Sequence, residues 1–294
     1  MKIIDSHIHI YDIYNGFKII KPRNKLPYGL INILEWRGFK RPGGQKKQSN
    51  RLIGDIVFYE CCKRTEFCEP ELYIKEFKNN DIVKSIIMPI EPFVKTTQTL
   101  KVCKKHKEFI TFASVDFLKE NYIDDLHNYM KLGCKGLKIH PVIQQILPSD
   151  KRILNLLEEY QKYNLPACIH VGPCRAGFSE IEAEKYAYPN QVIKLIKLFP
   201  KINFIFAHMG LQFYKEVLEY AYKYENIYLD TSFQPIEILK KAENMVGSER
   251  IIFGSDFPLL SQKSVIRIIK KSFQKNSLKL ENILYNNINR LIKL

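Results

Sequence analysis

Residues Cys134–Val171, CKGLKIHPVIQQILPSDKRILNLLEEYQKYNLPACIHV, contain one complete structural unit. Two short apolar runs, Cys134–His140 and Leu165–Val171, are too short for helices and rich enough in Ile, Leu, Val and Ala for strands buried on both faces. Between them Ile153, Leu156, Leu157 and Tyr160 recur at helical spacing, and Pro148-Ser149-Asp150 supplies a helix start. A strand, a helix and a second strand in this order form a parallel β/α repeat.

The same rhythm extends outward in both directions. Further apolar runs lie at Lys2–Ile10, Val83–Ile90, Phe109–Val115, Ile202–His208, Ile227–Asp230 and Arg250–Asp256. Helical spacing recurs in Val192, Ile193, Ile196 and Leu198, with Pro189 placed as a first-turn residue, and again over 265–269 and 283–291. Eight strands alternating with helices predict an α/β fold that closes as a (β/α)₈ barrel, a doubly wound open sheet being the alternative. Such barrels need about 250 residues, so the 294 residues are read as one domain, 1–294. Between about Tyr11 and Pro70 the rhythm fails. That stretch reads as an insertion after strand one, either a lid over the barrel mouth or a surface excursion, and it holds Trp36, Arg37 and Arg41.

Bulk composition narrows the function classes. With 46% hydrophobic and 26% charged residues, the chain is ordinary for a globular protein. No apolar stretch approaches the roughly 18 residues of a membrane span, and the first residues lack a signal peptide's apolar core, so a cytoplasmic protein is expected. The seven cysteines are odd in number and irregularly spaced, which predicts free thiols; Cys61, Cys62 and Cys68 lack the paired arms of a metal knuckle. The net charge of +15 comes from lysines spread along the chain rather than from a stripe, so a nucleic-acid partner is not expected.

Five of the seven histidines stand near the ends of predicted strands: His7, His9, His140, His170 and His208, with Asp256 closing strand eight. His7 and His9 are two apart and share a face. In a barrel the C-terminal strand ends surround one mouth, and imidazoles plus a carboxylate suit a first-row divalent ion. Gly172, Pro173, Gly210 and Pro258 allow the chain to turn away and leave room there.

These segments resemble the amidohydrolase superfamily, in particular the amidohydrolase-2 branch that includes aminocarboxymuconate-semialdehyde decarboxylase. The matching stretches are Asp5-Ser6-His7-Ile8-His9, Gly136-Leu137-Lys138-Ile139-His140-Pro141, Cys168-Ile169-His170-Val171-Gly172, Ala207-His208-Met209-Gly210 and Gly254-Ser255-Asp256-Phe257-Pro258. Asn286-Asn287-Ile288-Asn289-Arg290-Leu291 also resembles that family's closing helix. The resemblance implies His7, His9, His170 and Asp256 as metal ligands, Asp256 also taking a proton from water. It implies His208 as the histidine that binds or polarises substrate, or that holds a second metal in binuclear relatives. Lys138 is either a carboxylated bridging lysine or a point charge for an anionic substrate, and one metal is favoured, zinc with manganese as the alternative. His140 either meets substrate or supports its loop. Arg175 is placed to fork onto a substrate carboxylate or to sit solvated, and Trp36 and Arg37 are candidates to contact the remote part of a substrate. The expected reaction is hydrolysis of an amide, lactone or ester; the alternative is non-oxidative decarboxylation of an aromatic or unsaturated acid. The expected partner is a small molecule, an anionic one where Lys138 or Arg175 binds it, with a homodimer as the alternative to a single chain.

Overall fold

The computed structural model describes residues 1–13, 64–65, 69–172, 174, 185–274 and 276–294. Among the described residues, eight parallel strands alternate with helices. Strand β1 is Ile3–Ile8 and is followed by helix α1, Pro70–Asn79. Then come β2 (Ile82–Ile87), α2 (Thr96–Lys105), β3 (Phe109–Thr111), α3 (Tyr122–Lys131), β4 (Leu137–Ile139) and α4 (Lys151–Tyr160). The second half runs β5 (Ala167–His170), α5 (Pro189–Leu198), β6 (Phe204–Ala207), α6 (Tyr214–Lys223), β7 (Ile227–Asp230), α7 (Ile236–Val246), β8 (Ile251–Ile252) and α8 (Gln262–Phe273). A short helix α9 (Ser277–Glu281), a π-helical stretch and α10 (Asn287–Ile292) follow.

The strands form two ladders, β1-β2-β3 and β4-β5-β6-β7-β8. Single bridges join them, Ala113 to Leu137 at one seam and Ile8 to Phe257 at the other. The second seam is reinforced by backbone bonds from Ser6 N to Phe253 O, His9 N to Phe257 O and Asp256 N to His7 O. With both seams made, the sheet closes into a barrel, and the open-sheet alternative fails.

The helices form where an apolar stripe meets a cap. Helix α4 buries Ile153, Leu156, Leu157 and Tyr160, and Asp150 caps it by accepting from Arg152 N at 2.9 Å. Helix α5 begins on Pro189 and buries Val192, Ile193, Leu195 and Ile196; Leu198, which the spacing places inward, is 61% exposed on the outer face. Apart from β7, which matches its run, the strands are shorter than their apolar runs, which extend past the ladder at one or both ends. His106 is the residue that terminates α2. Cys103, Cys134 and Cys168 are free thiols, Cys174 is buried, and Cys61, Cys62 and Cys68 lie outside the described residues. No described helix is long and apolar enough to cross a membrane.

Inside the barrel Ile4, Ile86, Ile110, Phe112, Ile205 and Ile252 pack together, and Ile288, Leu291 and Ile292 of α10 join the same cluster. The helix seals the N-terminal end of the barrel. Asn287 holds it there by donating to Ser248 O at 2.7 Å and Ile251 O at 2.8 Å. Gly136 sits where any Cβ would strike the Phe112 ring at 2.5 Å, so this layer admits no side chain there.

Of the segment between Tyr11 and Pro70, only its margins are described. Ile13 packs with Ile90, Val142, Ile143 and Leu259 around the strand ends. Arg64 donates to Leu259 O at 3.2 Å, and Thr65 donates to Asp12 Oδ1 at 3.1 Å. Trp36, Arg37 and Arg41 lie outside the described residues, as does Arg175.

Candidate metal centre

Strand β1 delivers its histidines through an irregularity. Asp5 pairs with Ser85 and Ile8 with Ile87, so three steps on β1 face two on β2. The extra residue lets Ile4 join the interior cluster while His7 and His9 both reach the mouth. Asp5 accepts from Ser255 N (2.9 Å), Ser255 Oγ (2.5 Å), Gln262 Nε2 (2.7 Å) and His7 N (3.2 Å), tying β1 to the loop after β8. Burial pushes the Asp5 carboxyl up to about 7, against those hydrogen bonds.

Each β1 histidine has one ring nitrogen committed. His9 Nδ1 lies 2.9 Å from Met88 O, a carbonyl that can only accept, so His9 carries its proton on Nδ1. His7 Nδ1 lies 2.6 Å from Asp230 Oδ2. Both Nε2 lone pairs therefore turn toward Asp256, whose Oδ1 is 3.1 Å from His9 Nε2 and 3.4 Å from His7 Nε2. Asp256 Oδ1 is buried and takes no hydrogen bond. Three potential ligand atoms thus converge, with Lys138 Nζ 3.3 Å from His7 Nε2, an arrangement that a divalent cation also satisfies. His7, His9 and Asp256 fit a divalent metal. Burial holds the His7 imidazole well below its ordinary pKa, with the Lys138 charge adding to the effect, and burial raises the Asp256 carboxyl.

A second cluster, His7, His208 and Asp230, has its facing atoms already joined by hydrogen bonds. His208 Nδ1 is 2.7 Å from Ser232 Oγ, and Asp230 Oδ1 accepts from Ser232 N at 2.7 Å and Ser232 Oγ at 2.8 Å. Gly254 is required beside it: a Cβ there would lie 2.6 Å from Asp230 Oδ1 and 2.9 Å from His7 Cβ.

His170 belongs to neither cluster. Its ring stacks on His140 at 4.0 Å and stands 5.1 Å edge-on from His208. Its Nε2 is 3.0 Å from Gly172 O, while Nδ1 is buried without a partner. Burial lowers its pKa to about 3. Gly172 has φ +108° and any Cβ there would lie 2.8 Å from Gly210 O, so the two turns after β5 and β6 pack backbone to backbone. His140 is turned back onto its own loop: Ile143 N donates to His140 Nδ1 at 3.2 Å, and Gln144 Oε1 accepts from His140 N at 2.8 Å. A backbone N–H cannot accept, so His140 is the tautomer with its proton on Nε2. Lys138 is buried beneath these rings, its Nζ 3.3 Å from His7 Nε2 and 3.6 Å from Cys168 Sγ.

The backbone around the site is held in costly conformations. His208, Asp256 and Phe233 all have φ near +60° without being glycine. Each such residue costs about 1–3 kcal/mol and persists only where its surroundings impose it, as at functional sites.

Residues 60–294 match the family model described as Amidohydrolase. The chain belongs to the amidohydrolase family. Solved structures share the TIM-barrel fold of this amidohydrolase over its whole length. An uncharacterised TIM-barrel protein from Bordetella bronchiseptica superposes with a TM-score of 0.71 at 16% identity, covering 100% of this chain and 99% of the other. A probable 2-pyrone-4,6-dicarboxylic acid hydrolase from Acinetobacter baumannii, with citric acid bound, gives 0.63 at 13% identity, covering 100% of both chains. A 5-carboxyvanillate decarboxylase from Novosphingobium aromaticivorans, with bound manganese, gives 0.65 at 13% identity, covering 99% and 97%. No curated protein sequence matches.

Asp230 and Ser232 contact the histidines of the candidate site, and the sequence reading does not single them out. A signal exists for one of them: Asp230 ends an apolar strand, at the barrel end where a buried carboxylate has chemistry to perform. Nothing in the sequence marks the Met88 carbonyl or Gln144, whose roles arise from loops brought together by closure.

Proposed function

We propose that this amidohydrolase binds a divalent metal through His7, His9 and Asp256, with His170 completing the set, and hydrolyses an amide, lactone or ester of a small anionic molecule. The convergence of the His7 and His9 Nε2 atoms on Asp256 Oδ1 carries this reading. Zinc is the favoured ion, and manganese, which the Novosphingobium decarboxylase binds, is the alternative. A divalent ion supplies Lewis acidity at a carbonyl and makes water more acidic.

The protein's own groups divide the remaining work. Asp256, a buried carboxylate with a raised pKa, is suited to hold a proton taken from attacking water. His140 presents an N–H on Nε2 and suits a hydrogen bond to a substrate oxygen. Lys138 places a positive charge 3.3 Å from His7 Nε2 and favours an anionic ligand. Arg175, Trp36 and Arg37 are proposed to contact the remote part of that ligand. Discrimination between acids, lactones and amides must come from such contacts, because a centre that only polarises a carbonyl does not choose.

The buried charge of Lys138 also favours a second reaction, loss of carbon dioxide from an aromatic or unsaturated acid, since that requires a firmly held carboxylate. Zinc- and manganese-loaded protein, assayed against dicarboxylate lactones and against hydroxybenzoates, separates the two. Release of acid from a lactone without carbon dioxide is the expected result. Carbon dioxide release from an aromatic acid would establish the second reaction, and inactivity of loaded protein on both panels would overturn the proposal.

A further inference from the structure

We infer that Asp230 and Ser232 are positioning residues that set, through one carboxylate, where the proton sits on both His7 and His208. All three side-chain links lie within hydrogen-bonding distance: His7 Nδ1 to Asp230 Oδ2 at 2.6 Å, Ser232 Oγ to Asp230 Oδ1 at 2.8 Å, and His208 Nδ1 to Ser232 Oγ at 2.7 Å. Asp230 and Ser232 are fully buried, so water does not substitute for either partner.

With Asp230 ionised, counting protons along this chain leaves one solution. An ionised carboxylate only accepts, so His7 must donate from Nδ1. Ser232 has a single hydroxyl proton. If that proton pointed at His208, two oxygen lone pairs would face each other 2.8 Å apart at Asp230 Oδ1. Directed at Asp230, it leaves the hydroxyl free to accept, and His208 must then donate from its own Nδ1. Both rings are thereby fixed with Nε2 unprotonated.

The consequence for the site is specific. His7 offers Nε2 as a ligand atom, and His208 offers Nε2 as an acceptor. His140, whose Nδ1 receives Ile143 N, offers the reverse, a donor. The mouth therefore carries an acceptor on β6 and a donor after β4, and Asp230 aligns the first of these with the ligand on β1. Outer carboxylates that orient a ligating histidine change metal affinity by roughly 10–100-fold when removed.

This inference rests on the proposed metal reading only in treating His7 Nε2 as a ligand atom, and the test separates the two. Protein labelled with ¹⁵N-histidine is examined metal-free and zinc-loaded by two-bond proton–nitrogen correlation, which distinguishes the ring tautomers. Signals are assigned with His7→Gln and His208→Gln. Both His7 and His208 are expected as Nδ1–H tautomers in the metal-free protein. Ser232→Ala is expected to release His208 into a tautomer mixture with zinc content unchanged, and Ser232→Thr to restore the single form. Asp230→Asn turns an amide toward His7 and is expected to lower zinc affinity by roughly 10–100-fold. Should Asp230→Asn not fold, the two Ser232 variants still decide. An Nε2–H tautomer at either ring in the metal-free wild type, or a His208 spectrum unchanged by Ser232→Ala, would overturn the inference. Nδ1–H on both rings in a protein that takes up no zinc would uphold it while removing the metal reading.

Discussion

At the N-terminal end of the barrel the eight strands meet isoleucine and phenylalanine under a helix; at the C-terminal end the same strands meet imidazoles, a lysine and two carboxylates. Both ends are equally buried. The lower end gains from burial, because apolar area leaves water. The upper end does not: His7, His140, His170 and His208 are all forced neutral, and Asp256 Oδ1 and His170 Nδ1 are buried without partners. Such groups cost free energy unless something completes them. The barrel thus keeps its stability at one end and concentrates unsatisfied groups at the other.

This contrast can be broken most directly at Asp256. Asp256→Asn and His7→Ala are expected to lose divalent-metal affinity by more than the roughly 10–100-fold typical of outer partners, while metal-free Asp256→Asn melts at or above the wild type. Elemental analysis with calorimetry checks both halves, and a variant that keeps its metal would remove that residue from the ligands.

A somewhat smaller effect should appear with pH. The folded pKa values of His7, His140, His170 and His208 are lowered, that of His170 to about 3, while unfolded histidine titrates near 6.5. Below pH 6.5 the unfolded chain takes up protons that the folded one refuses, so each histidine removes up to about 1.4 kcal/mol per pH unit as pH falls. Asp5 acts oppositely: with its folded pKa raised to about 7, it adds stability as pH falls toward 4. Asp256 and Glu91, whose carboxyls burial also raises, act in the same direction, but four histidines outweigh three carboxyls. Denaturation midpoints of chelator-treated protein should therefore decline steadily from pH 6.5 to 4.5, and a flat profile would mean that the mouth is not dry.

The opposite end gives the smallest of these effects. Ile288→Ala, which hollows the interface of α10 with the barrel floor, is expected to cost about 2–5 kcal/mol of stability with metal content unchanged. If metal content fell with it, the two ends would be coupled rather than independent.

Much of this division is legible in the sequence, for identifiable reasons. The apolar runs and the stripe of α4 announce strands and helix because periodicity is a local property. The five mouth histidines and Asp256 are visible because each polar side chain closes a run of apolar ones, where a strand leaves the core. Leu198 departs from its expected place because an apolar residue at the end of a helical stripe does not have to point inward. The bulge at β1, and the hydrogen bonds that choose each histidine's tautomer, are not legible. They depend on which carbonyl or hydroxyl arrives opposite each ring, and Met88, Ile143 and Ser232 reach their partners only once the barrel is closed.

The seam between β1 and β8 has a consequence for the order in which the molecule is made. Asp5 bonds to residues 250 and 257 positions further along the chain, and the free side of β1 finds its partner only when β8 and the loop after it emerge. Closing so long a loop is tolerable in equilibrium terms, each doubling of length adding only about 0.6 kcal/mol. In time it is slow, because distant pairings form last. A growing chain therefore holds β1 with one edge unpaired while more than a hundred residues beyond β3 are still being added. An exposed strand edge is a template for neighbouring chains. Translation speed between β3 and β8 and the crowding of ribosomes on one message would then influence yield, even for variants whose finished barrels are equally stable.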